Sequence, residues 1–353
     1  AGYSQRDAAK SILEHNIYGL DIDDRAYQLA YFAVMMKARQ YDRKLFTRGI
    51  QPNIYSICES NGIQTMIIEY FHKNDPKLKA DIDSIVTEMW DAKEYGSLLN
   101  ITYVDFAGLY ARFDEIRNGI NLMQMLTLNE LLPLVKCAEI LAKKYDVVVT
   151  NPPYMGGRNM NELLLEKICN DYPEGKADLF SAFILKTIRL TKRNCYVAMI
   201  TQHSWMFLSS FEALRNAILH YNYINMCHLG PRAFEEISGE VVQTTSWVMR
   251  ATSIVNYKAK FARLVDFDSQ SKKENAILAK IAPIYQISQN QFKEIPGVAF
   301  AYWLPAPDVF MKGELLEKVA NPRQGMKTLD NDYFIHLWHK VRNDLSYYTA
   351  NSI

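Results

Sequence analysis

The stretch Tyr145-Asp146-Val147-Val148-Val149-Thr150, followed at once by Asn151-Pro152-Pro153-Tyr154, constrains this chain more than any other. β-Branched residues in an unbroken apolar run favour a strand covered on both faces, as in a parallel sheet. Two prolines cannot donate to a ladder, so the strand must stop and the chain must turn at Asn151. A parallel strand that ends this way places its turn at the carboxyl edge of the sheet, where open α/β folds bind ligands.

The remaining sequence supplies the sheet. Ile17-Tyr18-Gly19-Leu20-Asp21-Ile22-Asp23-Asp24 reads as a short apolar strand running into acidic residues. Ala26, Leu29, Ala30, Ala33, Val34 and Met36 then recur at helical spacing and predict a helix ending near Gly49, with Asp23 or Asp24 as N-cap. Pro52 opens a second strand over 53–58, closed by Glu59-Ser60, which completes the βαβ rhythm of a parallel sheet. Residues 62–144 break the alternation. Segments 82–90 and 122–141 read as amphipathic helices, so this region is a helical insertion or a long crossover.

Beyond the proline turn, helices are expected over 177–190 and 204–220, and strands over 195–201, 223–229 and 241–249, the last two in a hairpin-like unit. That is a doubly wound α/β sheet with an antiparallel end. A strand over 259–267, a charged helix over 269–281 and a helix over 309–319 follow, and 322–341 opens a further unit.

Composition narrows the class without choosing within it. The 353 residues allow one large or two modest domains. A net charge of +1 leaves a nucleic-acid partner open, because a basic face can be balanced by acidic patches elsewhere. Cys58, Cys137, Cys169, Cys195 and Cys227 form no C-x-x-C pair and are odd in number, which favours free thiols over a disulfide framework or zinc site. His336-x-x-His339 lacks a third ligand and reads as surface histidines, so no metal is implied. No apolar run reaches the ~18 residues of a spanning helix, and the N-terminus has no apolar signal region. The expectation is a soluble cytoplasmic protein with no membrane partner.

The residue types in the proline turn suit one chemistry. The lone pair of an exocyclic amine such as adenine N6 is conjugated with its ring. Acceptors that bond both N–H groups favour pyramidal geometry and disperse developing positive charge. The Asn151 side-chain oxygen and the Pro152 carbonyl are two such acceptors, and Tyr154 is placed to stack on a base. In duplex DNA that base must first be flipped out. The plainer alternative is a strand ending in a stiff turn, with Tyr154 as a core aromatic.

Asn151-Pro152-Pro153-Tyr154 matches the [DNS]-P-P-[YFW] signature of amino-group methyltransferases, and the match extends along most of the chain. Tyr18-Gly19-Leu20-Asp21-Ile22-Asp23 resembles a motif whose acidic residue, here Asp21, bonds the ribose hydroxyls of the cofactor, with Ile22 packing on its adenine. Ile57-Cys58-Glu59-Ser60 loosely resembles the motif that flanks the cofactor adenine, with Glu59 in the acidic slot. Ala177-Asp178-Leu179-Phe180-Ser181-Ala182-Phe183 resembles the helix that lines the pocket, which puts Asp178 and Phe180 on the side of the substrate base. Leu229-Gly230 through Ala233-Phe234-Glu235 to Gly239-Glu240-Val241-Val242 resembles the motif whose aromatic residue, here Phe234, packs against that base. Arg323-Gln324-Gly325, Asn331-Asp332, Phe334 and Trp338 are similar to the junction that opens a target-recognition domain. Plainer readings stand beside these: Asp21 and Asp23 as caps, Phe234 as core, and Gly156-Gly157-Arg158 as a phosphate contact or simply a flexible loop.

The resemblance is to N6-adenine-specific DNA methyltransferases of BREX phage-defence (PglX-like) systems and of type I and type IIG restriction–modification. It implies an α/β, Rossmann-like class I core dependent on S-adenosylmethionine, spanning 1–252 with a helical insertion at about 62–144. Residues 253–353 would be a connector and the start of the target-recognition region. The partners implied are double-stranded DNA with a flipped adenine and other defence-system subunits. The rival readings are a non-catalytic DNA-binding or scaffold subunit, and an amino methyltransferase acting on RNA, cytosine N4 or a protein glutamine.

One element of that family pattern has no counterpart. A cofactor loop of the form D-P-x-C-G-x-G is expected just before the 17–20 strand, and no such stretch occurs in the sequence. The chain by itself is therefore predicted to be inactive and to bind S-adenosylmethionine poorly. Titration calorimetry should show no micromolar binding, and a clear micromolar isotherm would overturn this expectation.

Overall fold

A computed structural model describes residues 2–119, 121–234 and 242–304, together with Lys318. Ser4 caps α1 (Gln5–Ser11) by accepting from the Asp7 N–H, and a π-turn over Ile12–Asn16 leads into β1 (Tyr18–Asp21). Asp23 caps α2 (Asp24–Arg39) by accepting from the Arg25 N–H. β2 (Asn53–Ser56) then lies parallel to β1, with Gly19 opposite Ile54. Helix α2 stops well before Gly49. That glycine instead follows a 3-10 turn over Leu45–Arg48, in the left-handed conformation (φ 66°) that glycine adopts without steric cost.

Five helices separate β2 from the next strand: α3 (Thr65–His72), α4 (Pro76–Glu88), α5 (Ala92–Tyr95), α6 (Phe106–Arg117) and α7 (Leu122–Ala142). They close over a core that includes Ile67, Phe71, Ile82, Ile85, Phe113 and Leu131, all fully buried. Arg112 is buried with them. Its guanidinium donates to the carbonyls of Phe71 (2.7 Å) and Tyr70 (3.2 Å), which lie at the end of α3 where helical carbonyls lack partners. Sequence periodicity anticipated α4 and α7 but not α3 and α6.

A six-stranded mixed sheet follows. β3 (Tyr145–Thr150) lies parallel to β4 (Thr191–Gln202), with Thr150 opposite Met199. α8 (Glu162–Asp171) and α9 (Leu179–Leu190) connect them. After α10 (Glu212–Ile218) come β5 (Asn222–Gly230), β6 (Thr244–Arg250), β7 (Lys258–Arg263), α11 (Gln270–Leu278) and β8 (Ile284–Ser288). The strand order is β3-β4-β6-β5-β7-β8. β6 runs antiparallel to β4 and β5, and β7 runs parallel to β5.

The helix expected over 204–220 is broken into short 3-10 turns before α10. Here the buried Arg215 donates to the Trp205, Leu208 and Gly297 carbonyls, which fastens the irregular chain. The compact unit that holds both sheets runs Ala1–Pro307. The expectations for 309–319 apart from Lys318, for Arg323-Gln324-Gly325, Asn331-Asp332, Phe334, His336, Trp338 and His339, and those for Glu235 and Gly239-Glu240-Val241, fall outside the described residues. Among the described residues no helix is long and apolar enough to cross a membrane.

β1 and β3 are each paired along one edge only among the described residues. Both line a cavity of about 470 Å³, together with Phe183, Lys186, Thr187 and Leu190 of α9. The Tyr18 and Tyr145 rings, at the starts of the two strands, lie 5.4 Å apart. Asp21 and Thr150, at their ends, share a second cavity, so the strands point the same way. β3 was expected to be covered on both faces, and it is not: Val147 is 56% and Val149 71% exposed. The reason is that β3 pairs with β4 alone and no described helix covers the face bearing these valines. Leu29, Phe32 and Met36 likewise form an exposed apolar stripe on α2.

Close packing at the start of α9 generates a stability prediction. The Ser181 hydroxyl donates to the Gly175 carbonyl at 2.6 Å. A Cβ on Gly175 would sit 2.8 Å from the Ala182 nitrogen and 2.9 Å from its Cα, both backbone atoms. Gly175→Ala should therefore cost about 1–3 kcal/mol of stability by overpacking. Urea denaturation tests this, and an unchanged midpoint would mean that the start of α9 shifts freely.

Candidate active site

The turn that ends β3 leaves Asn151 and Pro153 exposed, buries Pro152 and half-buries Tyr154. The Tyr154 hydroxyl lies 3.3 Å from the Asn151 Oδ1 and 3.5 Å from the Ile200 carbonyl, both acceptors for its hydrogen. Burial, with a smaller contribution from the Asp178 charge, pushes the Tyr154 phenol up to about 12, so it remains a donor. Its ring meets Phe180 edge to face, with centroids 6.0 Å apart. Phe180 has no exposed surface. It backs the tyrosine and does not itself face an opening.

Asp178 has a comparable supporting position. It is 8% exposed and caps α9 in a capping box with Ser181. Its Oδ1 accepts from the Met155 N–H (3.0 Å) and from the Phe180 N–H (3.3 Å). The Leu179 N–H donates back to the Met155 carbonyl at 2.9 Å. The chain leaving Tyr154 is thus fastened to the start of α9 from both sides. Burial raises the pKa of Asp178, and the backbone donors oppose that rise.

A cavity of about 370 Å³ opens in front of the turn. Asn151, Pro152 and Pro153 line it, as do Leu20, Asp21 and Ile22 from the end of β1 and Leu179 and Phe183 from α9. Residues far apart in sequence but singled out by their motifs therefore share one opening. One Asp21 oxygen accepts from the Asp23 N–H at 2.9 Å. Ile22 is 45% exposed.

Glu59 is not among the lining residues. It is exposed and accepts from the Lys93 N–H at 3.4 Å, because the chain beyond β2 turns toward the helices, where Ser60 N–H bonds the Met89 carbonyl. Glu94, Tyr95, Gly96 and Ser97 form a wall of the cavity and were missed in the sequence. The available signal was a lone glycine after a helical run. Gly96 sits at φ 56°, and a Cβ there would approach Ile22 Cδ1 to 3.6 Å. Phe234 is half-buried in the turn after β5 and does not line this cavity.

Comparison with known proteins gives the family of the chain. The family described as Eco57I restriction-modification methylase matches residues 15–232. The adenine-specific methyltransferase PglX of Lacticaseibacillus casei (strain Zhang) is 38% identical over 355 residues, covering 97% of this chain and 30% of that protein. The adenine-specific methyltransferase BrxX of Escherichia coli O9:H4 (strain HS) is 39% identical over 369 residues, covering 96% of this chain and 30% of that protein. The chain thus spans about a third of the length of these relatives. The structure of a nuclease-deletion mutant of the Type ISP restriction-modification enzyme LlaGI in complex with a DNA substrate mimic is similar at 13% identity and a TM-score of 0.42, covering 84% of this chain and 30% of that one. The matched span contains β1 with Asp21 and Ile22, the whole proline turn and α9; the chain belongs to the Eco57I restriction-modification methylase family.

Proposed function

We propose that this chain is the catalytic portion of a DNA adenine-N6 methyltransferase with a Rossmann-like class I core, into which residues 62–144 insert as a helical layer. The observation that carries the reading is the single cavity joining Asp21 and Ile22 to Asn151-Pro152-Pro153. Family membership and the adenine-specific names of the two relatives support the substrate. The reading includes double-stranded DNA with a flipped adenine as partner, other defence-system subunits, and a cytoplasmic setting. Residues 253–353 would be a connector and the start of the region that reads the DNA site.

The cavity fits S-adenosylmethionine by the chemistry of its walls. Asp21 keeps one carboxylate oxygen without a partner among the described residues, which suits a ribose diol. Ile22 and Gly96 offer a flat apolar contact for a purine, and Ser97 adds a hydroxyl. When bound, the cofactor supplies an electrophilic methyl group on a sulfonium. The chain's own residues do the rest. Asn151 Oδ1 and the Pro152 carbonyl accept the two N–H groups of the substrate amine and turn its lone pair toward the cavity. Tyr154 donates toward Asn151 Oδ1, which keeps the amide oxygen, and not its NH₂, at the acceptor position. Its ring, braced by Phe180, offers a face for the base. Asp178 holds the turn rigid, so these acceptors need no reorganisation during transfer.

Two measurements test the reading on a chain of the curated relatives' length with any required subunits. Asn151→Ala should lower N6-methyladenine formation by on the order of 100-fold, the usual cost of losing one preorganised charge-stabilising contact. Digestion of the product DNA to nucleosides and mass spectrometry would show it. Absence of methylated adenine with wild type that binds the cofactor would move the substrate elsewhere. Asp21→Ala should weaken S-adenosylmethionine binding by about tenfold or more, since it removes a charge-assisted hydrogen bond. Calorimetry at unchanged folding stability checks this, and equal affinity would remove Asp21 from the cofactor site.

A further inference from the structure

The cavity in front of the proline turn has a one-sided charge. Asp21 and Glu94 both line it, and among the described residues no lysine, arginine or histidine does. Lys93, next to Glu94 in sequence, is engaged with the Asp24 carboxylate at 3.7 Å. Two carboxylates on one opening with no cation between them repel each other, and a positively charged ligand relieves that repulsion. A cavity walled in this way favours a cation over a neutral molecule of the same shape.

Glu94 is exposed, yet its carboxylate is held. Its Oε2 accepts from Asn161 Nδ2 at 2.7 Å, and its backbone N–H donates to the Asp91 carbonyl at 2.9 Å. Asn161 is itself committed, because its Oδ1 caps α8 by accepting from the Leu164 N–H at 2.9 Å. An amide whose oxygen is engaged in a cap has only its NH₂ to offer a carboxylate, so one arrangement orients both side chains. Leu164 lines the same cavity. Asn161 ends the segment that leaves the proline turn, so Glu94 is tethered on the side where a methyl group has to meet the Asn151 acceptor. Glu94 Oε1 has no hydrogen-bond partner among the described residues.

We propose that Glu94 is a specificity-determining residue that favours the sulfonium cofactor over its thioether product, with Asn161 as its positioning residue. The inference rests on the methyltransferase reading of this cavity. S-adenosylmethionine carries a positive sulfonium, whereas S-adenosylhomocysteine is neutral at that sulfur. Every hydrogen bond to the ribose, the purine and the amino-acid part is open to both. One methyl group and the charge at sulfur are all that separate them. With Asp21 engaged by the ribose, Glu94 is the carboxylate left to respond to that charge. Its attraction is lost once the methyl group has gone, which weakens the hold on the product.

Calorimetry on a chain of the curated relatives' length, with any required subunits, tests this. The ligands are S-adenosylmethionine, S-adenosylhomocysteine and sinefungin, an unreactive analogue with an ammonium group in place of the methylsulfonium. Glu94→Gln keeps the size of the side chain and an acceptor for Asn161 but removes the charge. It should weaken both cationic ligands by about fivefold, the scale of one Coulomb interaction across partly hydrated protein, and the thioether by less than about twofold. Asn161→Ser keeps a capping hydroxyl for α8 and removes the amide donor, so it should give a smaller loss with the same selectivity. In wild type, raising the salt from about 0.05 M to about 0.5 M should narrow the preference for the cationic ligands, and in Glu94→Gln it should do so much less. Unchanged affinities in Glu94→Gln, or equal weakening of all the ligands, would overturn the proposal, because a merely structural role acts on all alike. A wild-type preference that does not respond to salt would overturn it without any variant. A wild-type chain that binds none of the ligands removes the cofactor reading of the cavity first, and this proposal with it.

Discussion

The carboxylate of Asp178 accepts two backbone N–H groups at once, one from the loop after Tyr154 and one from the first turn of α9. Much of the candidate site depends on that double contact. A carboxylate at a helix N-terminus is favoured by the unpaired donors gathered there. Here the same group also draws in the N–H of Met155, so the proline turn cannot move without α9. The prolines remove most backbone freedom from the turn, and Asp178 removes what is left. The Asn151 side chain and the Pro152 carbonyl are thereby held by rigid elements, as the proposed charge stabilisation requires.

Helix α9 also anchors the other wall of the cavity. Lys186, on that helix, is 2% exposed and donates to the Leu99 carbonyl at 2.5 Å. Burial, with like charge from Lys144 and Arg189, lowers its pKa to about 7. The Tyr172 hydroxyl bonds the neighbouring Leu98 carbonyl at 2.7 Å. Together they secure the chain just after Glu94–Ser97, so the helical layer and the proline turn are located against one element. Arg112, Arg215 and Lys273 repeat the device elsewhere, each directing a buried cation at backbone carbonyls that no ladder satisfies. Such groups trade hydration for several charge-assisted bonds, which is how a buried cation is tolerated.

What could be read in the sequence was local. The end of β3 at Asn151 follows from two adjacent prolines, and the cap at Asp23 follows from an acidic residue before a periodic apolar run. Both depend on neighbours within a few positions. Glu59 lies apart from the cavity lining because a short acidic pattern after a strand does not reveal which way the chain then turns. The wall at Glu94–Ser97 was missed because its position is set by Lys186 and Tyr172, far along the chain. Asp178 and Phe180 stood out as a motif, but only packing shows that they stand behind the turn. The valines of β3 read as buried from their composition, yet burial belongs to the neighbours a strand has and not to the strand. The Glu94–Asn161 contact joins two helix ends and has no sequence signature at all.

The paired open edges of β1 and β3 also bear on how this molecule behaves in solution. Among the described residues each edge presents unpaired N–H and C=O groups at ladder spacing, and β3 carries exposed valines. An extended peptide entering between them bonds on both sides at once, so partial entry gains little and full entry is strongly cooperative. Until it is filled, the same gap templates strands from any source, including another copy of the chain. Colloidal behaviour is therefore tied to this seam: whatever covers it also removes the surface through which molecules would adhere to one another.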